Sequence, residues 1–373
     1  MRVGINARNI LPTKLEGFGH YSVEIIQRIV KNHPEHQFVL YFDRKVELPF
    51  EQTKNVEIIK VFPPTRHPLL WILWFEFALP KRFKKDKIDA FWSPDGYLSL
   101  RSSIPQIATI HDINFEHYPA DMPKLVSNYF RYFFPKFSRK AKHIITVSEY
   151  SKKDLVKTYL LPESKITAIH NGVNEIYKPL YEDEKSTIKN QITNGRSYIL
   201  FVGSLHPRKN VQRLITAFDR ISREFPLIDL VIVGSAMWKD KFLQIPTKLE
   251  NRLHFTGHLP LTELAKVMGA ADVFAFVPYF EGFGIPLVEA MKCGIPILSA
   301  KTTSLPEVAH DTAIYCDPFS VDDITNSLRL LLQNPDLRRD LSQKGIQRSQ
   351  YFSWDKSADL VWQVIKRQFS ENN

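Results

Sequence analysis

Asp272-Val273-Phe274-Ala275-Phe276, followed four residues later by Glu281-Gly282-Phe283-Gly284-Ile285-Pro286-Leu287-Val288-Glu289, decides how this chain of 373 residues is read. The stretch reads as a buried strand, a glycine loop and the opening of a helix. Gly282 and Gly284 let the backbone come close to a ligand, and Pro286 suits the first turn of a helix. The unsatisfied N–H groups of that turn favour an anion such as a phosphate. Glu281 lies in the loop and Glu289 in the helix, so both suit hydrogen bonds from the hydroxyls of a neutral polyol. Two glutamates at this spacing are common on solvated surfaces; their place after a strand and a glycine loop points instead to a sugar or a ribose.

Working outward, short β-rich runs alternate with helical segments along the whole chain, the pattern of parallel α/β sheets. In the first half, strands are expected at 2–6, 37–42, 56–61, 90–92, 106–110, 143–147 and 166–170, with helices at 19–31, 69–83, 123–138 and 149–160. Residues 174–196, with Pro179, an acidic run at 182–184 and Asn194-Gly195, read as polar and aperiodic, as a linker does. A second series opens at Tyr198 and continues through strands at 230–233, 253–256, 273–276, 295–299 and 313–315. The domain reading is therefore 1–175, a linker 176–196, a second domain 197–353 and a final helix from Trp354. Open α/β sheets bind ligands beyond the carboxyl ends of their strands, so two such domains facing each other are expected to share a cleft.

Composition narrows the class. A hydrophobic content of 44% and only 14 glycines describe an ordinary globular chain rather than a fibrous or disordered one. Met1 runs straight into a strand-like segment without a basic-then-apolar leader, and the longest apolar stretch, 69–79, is about half of the roughly 20 residues a bilayer span needs. A cytoplasmic protein is the expectation. Cys293 and Cys316 are the only cysteines and have no metal-ligand spacing, so two buried thiols are expected and neither a disulfide framework nor a zinc site. Of the net charge of +10, most lies in residues 1–175, which carry 26 basic and 18 acidic side chains. Such a surplus suits nucleic acid, anionic lipid or a phosphorylated acceptor, and equally a plain basic surface.

Three further motifs carry chemistry. Gly203-Ser204-Leu205-His206-Pro207-Arg208-Lys209-Asn210 follows a strand and opens a helix, and Arg208 with Lys209 suits a diphosphate there. The pattern is not a Walker motif. Glu16-Gly17-Phe18-Gly19-His20-Tyr21 follows the first strand but lacks the third glycine of a dinucleotide fingerprint. His111-Asp112 closes the strand at 106–110; a lone histidine at a strand end is commonly structural.

Taken in order, these pieces resemble the group 1 (family 4) retaining glycosyltransferases of the GT-B fold, two Rossmann-like doubly wound parallel-sheet domains flanking a central cleft. Supporting stretches are Thr146 to Ser151, Asn171-Gly172-Val173, the block from Glu281 to Glu289, Cys293 to Pro296, Ser304 to Val308 and Phe352-Ser353-Trp354. The resemblance implies that Glu289 holds the ribose hydroxyls of a nucleotide sugar and Glu281 its sugar. It assigns the Phe283-Gly284-Ile285 backbone to the sugar and phosphates, Lys209 to the diphosphate, Gly282 to the same donor-binding loop, and His111 to the transferred sugar. It places Gly17, Gly19, His111 and Asp112 on the acceptor side and returns the final helix to the first domain. Two positions depart from the family: Ser204 stands where an arginine is usual, and Tyr279 where a small serine is usual. Arg208 is expected to replace the missing charge.

The implied reaction retains anomeric configuration by front-face attack, with Arg208 and Lys209 stabilising the departing diphosphate. It needs no metal and no cofactor, and the sequence holds no carboxylate pair placed to chelate one. Mannose from GDP-mannose is the first expectation for the donor and a UDP-sugar the alternative, with a glycan or lipid-linked acceptor in surface polysaccharide or lipopolysaccharide assembly. The segment Leu69 to Phe75 followed by Lys81-Arg82-Phe83-Lys84-Lys85 suits peripheral docking on an anionic membrane, or else a core helix with a basic end; the aromatic and basic stretch 129–142 is equally open. A nucleic-acid binder explains none of the Glu281 to Glu289 block, so nucleic acid is not expected as a partner. A phosphorylase or epimerase of similar architecture would require a different set of functional residues.

Overall fold

The computed structural model describes residues 1–10, 17–235 and 243–370. These divide into two compact units, one made of residues up to Asn171 together with those from Trp354 onward, the other spanning Gly172–Ser353. The first contains strands β1 (Arg2–Asn6), β2 (Gln37–Phe42), β3 (Val56–Lys60), β4 (Ala90–Ser93), β5 (Gln106–Thr109), β6 (His143–Thr146) and β7 (Ile166–Ala168). They pair in parallel in the order β3-β2-β1-β4-β5-β6-β7. The second contains β8 (Ser197–Val202), β9 (Ile228–Val233), β10 (Leu253–Gly257), β11 (Val273–Phe276), β12 (Ile297–Ala300) and β13 (Ala313–Cys316), parallel in the order β10-β9-β8-β11-β12-β13. Both sheets are Rossmann-like, as the alternating pattern predicts.

The strands are parallel because helices cover both faces, which demands apolar side chains without alternation. Phe38-Val39-Leu40-Tyr41-Phe42 and Tyr198-Ile199-Leu200-Phe201 are buried throughout. In each sheet the strand order reverses beside its first strand, between β1 and β4 and between β8 and β11, while every strand stays parallel. That reversal opens a crevice at the carboxyl ends of those two strands, where open α/β sheets take their ligands.

The final helix, Trp354–Ser370, belongs to the first unit. Trp354, Ala358, Val361, Trp362 and Ile365 recur at helical spacing and are buried, against the helix Gly17–Asn32 and β2. Trp354 lies 5.7 Å from the His20 ring, Trp362 5.7 Å from Phe38, and Ser357 Oγ donates to the His170 carbonyl at 2.6 Å. Both cysteines are buried and unpaired.

Two sequence expectations change. The segment read as an aperiodic linker contains a helix, Glu182–Thr193. Glu182, Asp183 and Glu184 fill its first turn, where the helix dipole favours acids, and the Glu184 carboxylate accepts the Tyr181 N–H at 2.9 Å. The apolar stretch at 69–79 is neither wholly core nor wholly surface. It runs through Pro68–Leu73, a wider π turn at Trp74–Ala78 and Leu79–Lys85. Pro80 has no N–H and would crowd the carbonyl four residues back, and the π turn just before it relieves that conflict. Trp74, Phe75, Leu79 and Phe83 face the core, whereas Leu69, Leu73 and Phe77 remain 62%, 47% and 44% exposed. Among the described residues no helix is long and apolar enough to cross a membrane.

Candidate functional site

In the second unit, β8 ends at Val202 and the chain turns at Gly203, whose φ of +152° is unfavourable for side chains. Ser204 and Leu205 follow, then a single 3-10 turn, Pro207–Lys209, begun by His206, whose Nδ1 accepts the Arg208 N–H. Asn210 sits in the left-handed region and starts the helix Val211–Ile221. Its side-chain amide donates to the carbonyls of Val277 at 2.9 Å and Pro318 at 2.7 Å, pinning this turn to the loops after β11 and β13.

The loop after β11 meets that turn. Glu281 Oε2 accepts from Arg208 Nη1 and from Lys209 Nζ, both at 2.6 Å. Arg208 also donates to the Phe280 carbonyl at 3.1 Å, and Ser304 Oγ donates to the Glu281 carbonyl at 2.9 Å. Burial pushes the Glu281 carboxyl toward neutrality, but Lys209 and Arg208 outweigh it and hold the group below its ordinary value. Burial and the same two cations push His206 down to about 4, so its ring is neutral. Two cations share one carboxylate, which leaves a net positive turn beside the helix Ile285–Lys292. Gly284, at φ +88°, is the cap of that helix, and a Cβ there would lie 2.8 Å from Leu305 Cδ2. Gly282 and Phe283 are buried beneath the turn, and Ile285 and Pro286 are half-buried at its start.

Glu289 lies one turn further along the helix and is 7% exposed. Burial raises its carboxyl to about 7, only partly offset by the neighbouring Tyr177 hydroxyl. The Tyr177 hydroxyl is itself buried without a formed hydrogen bond. A carboxyl held near half-ionisation in a buried wall gains most from a ligand that donates hydrogen bonds to its charged form.

Residues 182–348 match the glycosyl transferases group 1 family, and residues 16–175 match glycosyltransferase family 4. The chain belongs to the group 1 glycosyltransferases. The O-antigen chain mannosyltransferase B of Escherichia coli is 27% identical over 91% of this chain and 93% of its own length. The sucrose-phosphate synthase of Thermosynechococcus elongatus superposes with a TM-score of 0.79 at 17% identity over the whole of both chains. HepE of Anabaena, solved in complex with UDP and glucose, gives 0.75 at 17% identity over 98% of this chain and 99% of its own. The GT-B fold named by the sequence resemblance is therefore the fold of this glycosyltransferase.

In its first unit, His111 is buried between the rings of Phe18 at 4.8 Å and Tyr21 at 4.7 Å. Its Nε2 donates to the Pro94 carbonyl at 2.8 Å, which in the neutral ring makes Nδ1 the acceptor. Burial lowers its pKa and keeps the ring neutral. Asp112 Oδ1 accepts the Asn114 N–H at 3.1 Å, capping a short turn. Gly17 and Gly19 open the helix Gly17–Asn32; among the described residues a Cβ at Gly17 would meet nothing within 4 Å, and Gly19 is buried. Glu16 lies outside the described residues.

The sequence motif contains His206 and Asn210 without a role for either, and the structure shows that they shape the cationic turn. Tyr177 and Gly234 are not singled out by the sequence: Tyr177 borders Glu289, and Gly234 abuts Gly203, where a Cβ on Gly234 would fall 1.9 Å from the Gly203 carbonyl oxygen. A glycine directly after a buried strand was the available signal for Gly234. Nothing local marks Tyr177, which lies more than a hundred residues before Glu289.

Proposed function

We propose that this glycosyltransferase takes a hexose from a nucleotide diphosphate sugar held in its second unit and transfers it, with retention, to a glycan or lipid-linked acceptor of surface polysaccharide assembly. The observation that carries the reading is the cationic turn of Arg208 and Lys209, clamped by Glu281 at the crevice between β8 and β11, with Glu289 on the helix that follows the Glu281 loop. In this reading Arg208, Lys209 and the backbone from Gly282 to Ile285 receive the diphosphate, with Ser204 bordering it. Glu289 accepts from the ribose hydroxyls and Glu281 from the sugar. His111 offers Nδ1 to a substrate hydroxyl on the acceptor side, which Asp112, Gly17 and Gly19 complete. As the glycosidic bond breaks, negative charge grows on the leaving diphosphate beside Arg208 and Lys209. Fixed cations there lower the barrier without an enzyme nucleophile. Their charge also does the work a divalent ion would otherwise do, so we include metal independence in the proposal.

The mannosyltransferase name of the Escherichia coli relative favours GDP-mannose as donor. The UDP and glucose complex of HepE supports a UDP-sugar as the alternative. Peripheral attachment to an anionic membrane face is part of the same proposal. It is supported by Leu69, Leu73 and Phe77, exposed at four-residue spacing, with Lys81, Lys84 and Lys85 exposed further along the same segment.

The test is incubation with GDP-mannose and with UDP-glucose in EDTA, following thermal stability, nucleotide release and the anomeric configuration of the product by NMR. One donor should stabilise the protein and yield a product with the donor's configuration. An inverted product, or no response to any nucleotide sugar, would sink the corresponding part of the reading.

A further inference from the structure

The crevice between β8 and β11 in the second unit holds an anion of its own. Glu281 Oε2 accepts from Arg208 Nη1 and from Lys209 Nζ, both at 2.6 Å, so a single carboxylate oxygen lies where a phosphate oxygen would meet the same two cations. Both cations are largely shielded from water: the Lys209 side chain is 9% exposed and that of Arg208 18%. Lys209 Nζ lies 5.0 Å from the centre of the Phe276 ring, and Arg208 is tied to the Phe280 carbonyl. A buried ammonium needs an anion at hand, and Glu281 supplies it.

The backbone on either side of that carboxylate is fixed. The Tyr279 N–H donates to the Arg208 carbonyl at 3.1 Å, Arg208 Nη1 donates to the Phe280 carbonyl at 3.1 Å, and the buried Ser304 Oγ donates to the Glu281 carbonyl at 2.9 Å. Glu281 therefore leaves the cations by rotation about its own side-chain bonds, while the loop and the two cations stay in place. A diphosphate arriving at Arg208 and Lys209 brings its oxygens within about 4 Å of the carboxylate, and like charges that close repel. Either the carboxylate turns away or the diphosphate binds weakly. A hexose attached to the diphosphate offers the carboxylate hydroxyl donors to turn to, and a bare nucleoside diphosphate does not.

We propose that Glu281 is a built-in competitor of the diphosphate: in the free enzyme it occupies Arg208 and Lys209, the hexose of the donor draws it off, and after transfer it returns to the cations and expels the nucleoside diphosphate. Glu281 is then a specificity-determining residue, which favours the sugar-bearing nucleotide over the product. The steps that involve the hexose and the product rest on the function proposed above; competition for the two cations does not.

Calorimetric titration of the full chain with inorganic pyrophosphate, GDP, GDP-mannose, UDP and UDP-glucose tests this. The proteins are wild type, Glu281→Gln, Lys209→Ala and the Lys209→Ala, Glu281→Gln double variant, each checked for folding by its melting temperature. Glu281→Gln keeps an acceptor oxygen and removes the charge. It should bind pyrophosphate and the nucleoside diphosphate about tenfold more tightly than wild type but the nucleotide sugar no more tightly, so the preference for sugar-bearing nucleotide should fall about tenfold. In the Lys209→Ala background the gain from Glu281→Gln should shrink to about threefold or less, because the competition runs through that cation. Dissociation of the nucleoside diphosphate, followed by stopped-flow displacement, should slow about tenfold in Glu281→Gln. Equal or weaker pyrophosphate binding by Glu281→Gln would overturn the proposal, and so would a gain undiminished by Lys209→Ala. If Glu281→Gln does not fold, Glu281→Asp, which withdraws the charge by one methylene, should tighten pyrophosphate severalfold, and unchanged affinity there would be equally fatal. Equal tightening of nucleoside diphosphate and nucleotide sugar would remove the part played by the hexose. Pyrophosphate tightened as stated, with no nucleotide sugar bound by any of the proteins, would support the competition and sink the donor function, so the two failures are distinguishable.

Discussion

Binding of the nucleotide should expel a proton from Glu289, and the effect can be sized from the pocket. Burial raises this carboxyl to about 7 in the unliganded protein. Ribose hydroxyls donate to a carboxylate far better than to a carboxylic acid, so the bound state should be ionised across the neutral range. A group titrating near 7 is about 10% ionised at pH 6, about half at pH 7 and about 90% at pH 8, so nucleotide affinity should rise roughly tenfold between pH 6 and pH 8. Proton release per nucleotide should be about 0.9 at pH 6, about 0.5 at pH 7 and about 0.1 at pH 8. Calorimetry in buffers of different ionisation enthalpy measures this directly. Glu289→Gln supplies the baseline, because protons shed by the nucleotide's own phosphates appear in both proteins and cancel. The variant should bind roughly 10- to 100-fold more weakly, having lost a charge-assisted acceptor, and should show no excess release. The unliganded proteins should diverge as well. The folded carboxyl sits above its unfolded value, so the stability contributed by its proton is complete below about pH 4.5 and is lost as pH rises through about 7. Glu289→Gln should therefore gain on wild type with rising pH, by at most about 3 kcal/mol at pH 8. Identical proton release in the two proteins, or an affinity flat from pH 6 to pH 8, would refute the ribose role.

Further outcomes follow from other parts of the structure. Lys209→Ala and Arg208→Ala each remove a cation from the turn held by Glu281, and each should weaken nucleoside diphosphate binding by about tenfold or more, measured by calorimetry; unchanged affinity in Arg208→Ala would show that it does not replace the charge absent at Ser204. Gly234→Ala forces a methyl against the Gly203 carbonyl, so nucleotide affinity should fall at least as far while the chain still folds, read by calorimetry and circular dichroism. Asp229 is buried and engages Arg252, His254 and Arg196; Asp229→Ala should cost about 3 kcal/mol in urea unfolding of the second unit. Leu73→Glu together with Phe77→Glu should abolish co-flotation with vesicles containing anionic lipid and leave the melting temperature nearly unchanged, since both side chains already face solvent; flotation that persists would remove the membrane face.

The sequence by itself determined the elements and their class. Runs such as Tyr198 to Val202 and Leu230 to Val233, punctuated by glycines, carry their own instruction, because strand and helix periodicity is local. The family was legible for the same reason: its motifs lie in short contiguous blocks, above all Glu281 to Glu289. The acidic first turn at 182–184 also stood in the sequence, read there as a linker because its apolar content is low. What only the tertiary structure decided is which residues meet. Glu281 closes on Arg208 and Lys209 across more than seventy residues, and Asp95 on Arg8 across 87, because β11 hydrogen-bonds beside β8 and β4 beside β1. Strand order arises from the packing of whole crossover units, which no window of residues encodes. The buried charge of Arg8 therefore passed as an ordinary residue until its neighbours were placed. Burial works in the same way on Glu289: its carboxyl is shifted by the walls around it, and those walls come from segments far apart in the chain.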